Sequence, residues 1–171
     1  MPVYALGEAR PRIDDAAFVH PDAVVIGSVT IGPGSSIWPG VVLRGDGLGI
    51  VVGARTSIQD GTVVHCTDDL TTEVGDDCLV GHLAHLEGCR VEARGFVGSG
   101  SIILHRAVVA SGAFVAAGAV VLAGTHVPSG ALATGVPARI RPGAAPDHVD
   151  GGVQHYVAQV ERYRRDLRRI G

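Results

Sequence analysis

The chain has almost no aromatic residues: one Trp, three Tyr and three Phe in 171 residues, with a single Met. A core of this size must then be filled by Val, Ile, Leu and Ala. Together with 25 glycines, that composition points to tight, repetitive coils and away from a sandwich or an α/β domain. Cysteine is scarce too. Cys66, Cys78 and Cys89 form no CxxC pair and no even framework, which excludes a disulfide scaffold and reads as reduced, buried thiols. There is no excess of either charge. A net charge of −3 and a pI near 6.2 argue against nucleic acid as the main partner. No apolar run approaches the length of a membrane span. The opening MPVYALGEARPRIDD carries charges throughout and no apolar core, so no signal peptide and a cytoplasmic location are expected. The length is that of one domain.

What is present is a period. Val19, Val25, Ile31, Ile37 and Leu43 fall six residues apart, and the series resumes at Val52, Ile58 and Val64. It resumes again at Val74, Val80 and Leu86. One step of five leads to Val91, after which Val97, Ile103, Val109, Val115, Val121, Val127 and Ala133 follow at six. Neither a helix period of 3.6 nor plain alternation generates steps of six. A Gly-rich disordered tract would not keep an aliphatic register. The expected fold is all-β: a left-handed parallel β-helix of hexapeptide repeats, in which three hexads close one triangular coil and the aliphatic position points inward. The interruptions GDGLGI and CTDDLTTE are expected to be loops leaving the coil. The acidic residues of the second, Asp68, Asp69 and Glu73, read as solvated.

The repeat ends at GVPAR, and the linker RPGAAPD follows. Val153, Tyr156, Val157, Val160, Tyr163, Leu167 and Ile170 then take helical spacing. Arg162, Arg164, Arg165, Arg168 and Arg169 mark the opposite face and the C-terminal end. We therefore expect residues 1–140 to form the β-helix domain with an N-terminal lead-in. Residues 141–171 are expected to form a linker and a C-terminal amphipathic α-helix packing on it.

Chemistry concentrates in VGHLAHLEGC, where His82, His85 and Glu87 fall within six residues, with His65 one segment earlier in TVVHC. The stretches VIGSVTIGPGSSIWPGVVLRGD, TSIQDGTVVH, VGHLAHLEGC and GVPARI together resemble the γ-class carbonic anhydrase family. The resemblance runs from about Phe18 to the final helix. It implies a homotrimer with a metal ion, usually Zn2+ and in some cases Fe2+, held between subunits by three histidines, two from one subunit and one from its neighbour. Carried over by motif, His65 is the first ligand and His82, donated by the neighbouring subunit, the second. The third histidine of a GHxxxLHGC segment is here Glu87. By the same resemblance Arg44 and Asp46 of LRGD, a buried and partly intersubunit ion pair, and Gln59 and Asp60 of IQD surround the metal. Gln59 is the best candidate for direct substrate contact. Tyr156 resembles a tyrosine that approaches the pocket, although its helical spacing suits packing equally.

The register bears on these assignments separately. His65 and Glu87 each follow an inward aliphatic residue, Val64 and Leu86, and should project from one face of stacked coils. His82 lies two places after Val80 and points differently, while His85 precedes Leu86 and falls out of register with both. Three outcomes are open for Glu87: a ligand in a set of two histidines and one carboxylate, a general acid or base at a metal-free site, or a bystander with His85 taking its place. A carboxylate ligand would raise the pKa of bound water relative to an imidazole. His20, His105, His126, His148 and His155 show no partner pattern, and Cys66 and Cys89 read as packed thiols. The function implied is hydration of CO2, or related lyase or hydrolase chemistry on bicarbonate or a small carboxylate. A hexapeptide-repeat acyltransferase and a non-catalytic trimeric homologue are the alternatives. Neither nucleic acid nor a membrane is expected as a partner.

Overall fold

A computed structural model describes residues 2–146 and 149–171; His148 and the last linker residue lie outside them. The chain winds into a left-handed parallel β-helix of about seven turns, with a helix at its C-terminal end. The hexad residues form the interior column. Val25, Ile31, Ile37, Leu43, Val52, Ile58, Val64, Val74, Val80 and Leu86, and their successors to Ala133, are each at most 1% exposed. Stacked coils bury them against one another, and burial of aliphatic surface on this scale is the main source of the fold's stability.

Strands pair in parallel from coil to coil, as Ser57-Ile58 does with Leu79-Val80 and Phe96-Val97 with Phe114-Val115. Two of the three faces merge into one twelve-stranded sheet. They merge because strands Val24–Ile31 and Val42–Val52 run through the corner between them. The first interruption, GDGLGI, is therefore not a loop leaving the coil but the middle of an eleven-residue strand. Its glycines are the physical reason. A Cβ on Gly45 would overlap the carbonyl oxygen of Ser28, and one on Gly47 that of Thr67. Only residues without side chains let the backbones approach this closely. The second interruption does leave the coil, between strands Val63–His65 and Thr72–Val74. At the far end, Leu132–Thr134 pairs antiparallel with Arg139–Arg141, which forms the edge of the eight-stranded sheet.

Helix α1 spans Val149–Asp166. It starts earlier than the Val153 expected from apolar spacing and ends before Ile170, leaving Arg168, Arg169 and a fully exposed Ile170 beyond it. Asp150 in its first turn complements the helix dipole and pairs with Arg94 at 2.8 Å. Val149 and Val153 pack with Leu79, and Gly152 lies where a Cβ would press on the Leu79 side chain. Farther along, Tyr156 and Tyr163 meet Trp38 edge-on, with ring centroids 5.7 and 4.9 Å away. Trp38 is itself fixed by donating Nε1–H to Ser36 and Ser57 at 3.0 and 2.9 Å. No described helix is long and apolar enough to cross a membrane.

Arg164 ties the end of α1 to the N-terminal turn, donating to the carbonyls of Ala16 and Ala17 at 2.9 and 3.0 Å. Arg164→Ala should cost about 1 kcal/mol and release the last turns of α1 before the coils. Hydrogen exchange should show that loss of protection confined to residues 160–166.

Candidate metal centre

The parallel register places Arg44 opposite His65, and His65 opposite Glu87, on three successive coils. Stacked strands lie about 4.8 Å apart, so these side chains form a short outward column. His65 Nδ1 meets Glu87 Oε1 at 2.8 Å and His65 Nε2 meets Asp46 Oδ1 at 2.9 Å. Asp46 uses its other oxygen to accept from Arg44. The Arg44–Asp46 pair expected from LRGD is thus present. In the single chain the Arg44 side chain is 46% exposed. The column stands on the outer wall of the coil, open to the surroundings of the single chain.

A histidine between two carboxylates poses a hydrogen-bond problem. A neutral imidazole carries one N–H and can satisfy one acceptor; the other nitrogen then presents a lone pair to a carboxylate oxygen. A positive charge at either contact would relieve that repulsion. The electrostatics of the acids agree. Hydrogen bonding from His65 holds the Glu87 carboxyl below its ordinary value against an opposing effect of burial, and His85 and His105 add to the lowering. At Asp46, burial alone would raise the carboxyl, but hydrogen bonds from His65 and Arg44 together outweigh it, and the net shift is downward. Because both folded-state values are depressed, the unfolded chain takes up protons first as the solution is acidified. Their stabilisation is complete above about pH 5 and is lost as pH falls through 4 and below. An equilibrium unfolding series should show that acid limb, and Glu87→Gln should make it shallower.

His85 is placed differently from the expectation. Strand His85–Glu87 turns Leu86 inward, so His85 and Glu87, two apart, share the outer face. His85 Nε2 lies 3.4 Å from Glu87 Oε2. His105, read as a bystander, also approaches that oxygen at 3.4 Å, and its Nε2 is buried without a hydrogen-bond partner. The signal that could have found it is coil length. One turn of three hexads carries position 87 to the neighbourhood of 105. The other residue that the sequence concealed is Thr72. Its hydroxyl donates to the His65 carbonyl and accepts from Gly88 N–H, sewing the end of the second loop under the two site segments.

His82 stands apart from this column, at a corner. Its Nδ1 meets Asp60 Oδ2 at 2.9 Å, and both side chains are about half exposed. An exposed pair of this kind contributes about 0–1 kcal/mol, too little to explain it as a stabilising element. Asp60 fixes the orientation of the imidazole through one nitrogen and leaves the other without a described partner. Leu83 follows it in the left-handed region (φ 58°) with 72% of its surface exposed. Gln59 is buried beside this corner, and Tyr156 lies close enough to Asp60 for the carboxylate to add to the upward push that burial gives its phenol. The thiols of Cys78 and Cys89 are pushed up to about 12 by burial, which leaves them as packing groups.

Among the described residues no group of three or more His, Cys, Asp or Glu is arranged to hold a metal within one chain. Two histidines and a carboxylate are nevertheless a competent zinc set. His65 and Glu87 face each other, and Asp60 orients one nitrogen of His82 so that the other is turned away from it. The donors fit, provided that His82 comes from another copy.

The comparisons with known proteins bear on both halves of this description. The family model described as "Bacterial transferase hexapeptide (six repeats)" matches residues 10–45. Over 108 residues the chain is 48% identical to "Gamma carbonic anhydrase 2, mitochondrial" of Arabidopsis thaliana, a match taking in 60% of this chain and 39% of that protein. The chain thus spans well under half the length of that plant relative. Over 139 residues it is 38% identical to carnitine operon protein CaiE of Escherichia coli strain K12, covering 81% of this chain and 71% of the other. Among solved structures, a hexapeptide transferase family protein from Anaplasma phagocytophilum superposes with a TM-score of 0.89 at 36% identity. That superposition covers 95% of this chain and 98% of the other.

Proposed function

The chain belongs to the γ-carbonic-anhydrase-like family of hexapeptide-repeat proteins, and from that premise we propose that it is a trimeric metalloenzyme hydrating CO2 or carrying out related lyase or hydrolase chemistry. One observation carries this reading: His65 and Glu87 stand in register on adjacent coils with their donor atoms 2.8 Å apart. His65 and Glu87 of one subunit and His82 of the partner subunit would hold Zn2+ or Fe2+. When bound, the metal would supply an activated water.

The remaining residues act around that group. Asp46 holds His65 Nε2 and so directs Nδ1 toward Glu87, while Arg44 neutralises Asp46. Asp60 holds His82 Nδ1 and leaves Nε2 as the donating atom. Gln59, at the same corner, would hydrogen-bond bicarbonate. Trimer assembly is supported by what the isolated chain leaves uncovered beside these residues. Leu83 adjoins His82, and Val63 and Ile102 flank His85 in register at 37% and 36% exposure. A cytoplasmic location is part of the same proposal.

The test is stopped-flow CO2 hydration by protein purified in the presence of zinc. Activity above buffer is expected, and Asp60→Asn should lower it about ten- to a hundredfold, the usual effect of losing a carboxylate behind a metal-bound histidine. Wild-type protein that binds zinc yet hydrates no CO2 would sink the hydratase reading. The acyltransferase reading has one observation in its favour, the structural likeness to a hexapeptide transferase family protein. Saturable acetyl-CoA binding by the trimer would revive it.

A further inference from the structure

A cavity of about 480 Å³ lies between α1 and the β-helix. Its walls include Trp38, Asp60, Tyr156, Gln159, Arg162 and Tyr163. We propose that it binds a small organic carboxylate with a flat apolar body, oriented with its carboxylate at Arg162 and its other end toward Asp60 and His82. The inference deepens the proposed function by naming the substrate class of that site, and it rests on that reading only for the ligand's purpose.

Size is the first argument. CO2 and bicarbonate occupy little more than one or two waters, at roughly 30 Å³ each, whereas this cavity falls in the range of clefts that hold organic ligands of drug-like size. Charge is the second. Asp166 is held bidentately by Arg165 and Asp60 is engaged by His82, but no carboxylate among the described residues pairs with Arg162. A guanidinium fork left free at a cavity wall suits a carboxylate. Shape is the third. Trp38, Tyr156 and Tyr163 line the cavity and are held by edge-on contacts of both tyrosines with Trp38, so the wall they form is rigid and apolar and suits a planar apolar group better than a polar chain. Position gives the orientation. Tyr156 lies within the field of Asp60, and Arg162 is six residues along α1, about 9 Å at 1.5 Å per residue. The cavity therefore has an anion-binding end and, at the other, the residue that orients His82.

Trp38 is the single tryptophan, so its fluorescence reports on the cavity directly. The experiment titrates EDTA-treated full-length protein with phenylacetate, and with benzyl alcohol and acetate as the ring-only and charge-only controls. Phenylacetate should change Trp38 emission saturably and bind at least about tenfold more tightly than either control. Arg162→Met should weaken phenylacetate about tenfold or more while leaving benzyl alcohol unchanged, with Arg162→Lys in between. Arg162 is exposed, so both variants should fold. Equal affinity in wild type and Arg162→Met, or no saturable change up to about 10 mM, overturns the proposal even if the metal-loaded protein hydrates CO2. Binding by metal-free protein supports it whatever that assay gives.

Discussion

Glu87→His should raise CO2 hydration by about ten- to a hundredfold at neutral pH. The reasoning is electrostatic. In the wild type, Glu87 adds a full negative charge at a position where an imidazole would be neutral, and it stands against His65 with Asp46 behind. A metal held by this set carries less net positive charge, so bound water loses its proton less readily. Replacing Glu87 by histidine removes that charge without altering the strand, because Leu86 holds the register and position 87 already faces outward beside half-exposed His85. His85 and His105 would then lose the oxygen they share. An unchanged rate in the variant would show that position 87 plays no part in the site.

Leu86→Ala should have the largest effect on stability. Leu86 is completely buried between the inward residues of the coils on either side, Val64 and Ile103. Removing it leaves a cavity in a column whose neighbours are fixed by backbone pairing and cannot collapse inward. Losses for such truncations run from about 2 to 5 kcal/mol, and the rigid coil places this one near the upper end. For a chain of this size that corresponds to a fall in Tm of roughly 10–20 °C. The same variant should disturb the site, since Leu86 lies between His85 and Glu87 and sets how both project. Loss of stability without loss of metal would mean that the column is held by its loops and not by the core.

The fold was legible because its determinant is local and repeated. Aliphatic residues in runs of six-residue steps, from Val25 to Ala133, are written in the order of the residues, and every one of them is buried. The pairing of His65 with Glu87 was legible for the same reason, since both follow an inward residue. What escaped depends on where coils come to rest over one another. GDGLGI reads as an excursion because it breaks the period, yet its glycines let it run as strand against Ser28 and Thr67. His105 and Thr72 reach the site from one coil above and from the end of a loop, and no local pattern marks either. His85 was misplaced by counting in sixes across a three-residue strand, where the relevant alternation is two. The cavity beside α1 depends on a helix whose packing against Trp38 no spacing rule gives.

The central claim is that His65 and Glu87 of one subunit and His82 of the partner subunit share a metal ion. Metal analysis of the purified trimer, with wild type and His82→Ala compared side by side, tests it most directly. The account predicts about one zinc or iron per chain in the wild type, as a three-ligand site implies, with loss of that metal in a His82→Ala protein that remains trimeric. A zinc-supplemented wild-type trimer containing no metal, or a His82→Ala trimer that keeps its full complement, would contradict it.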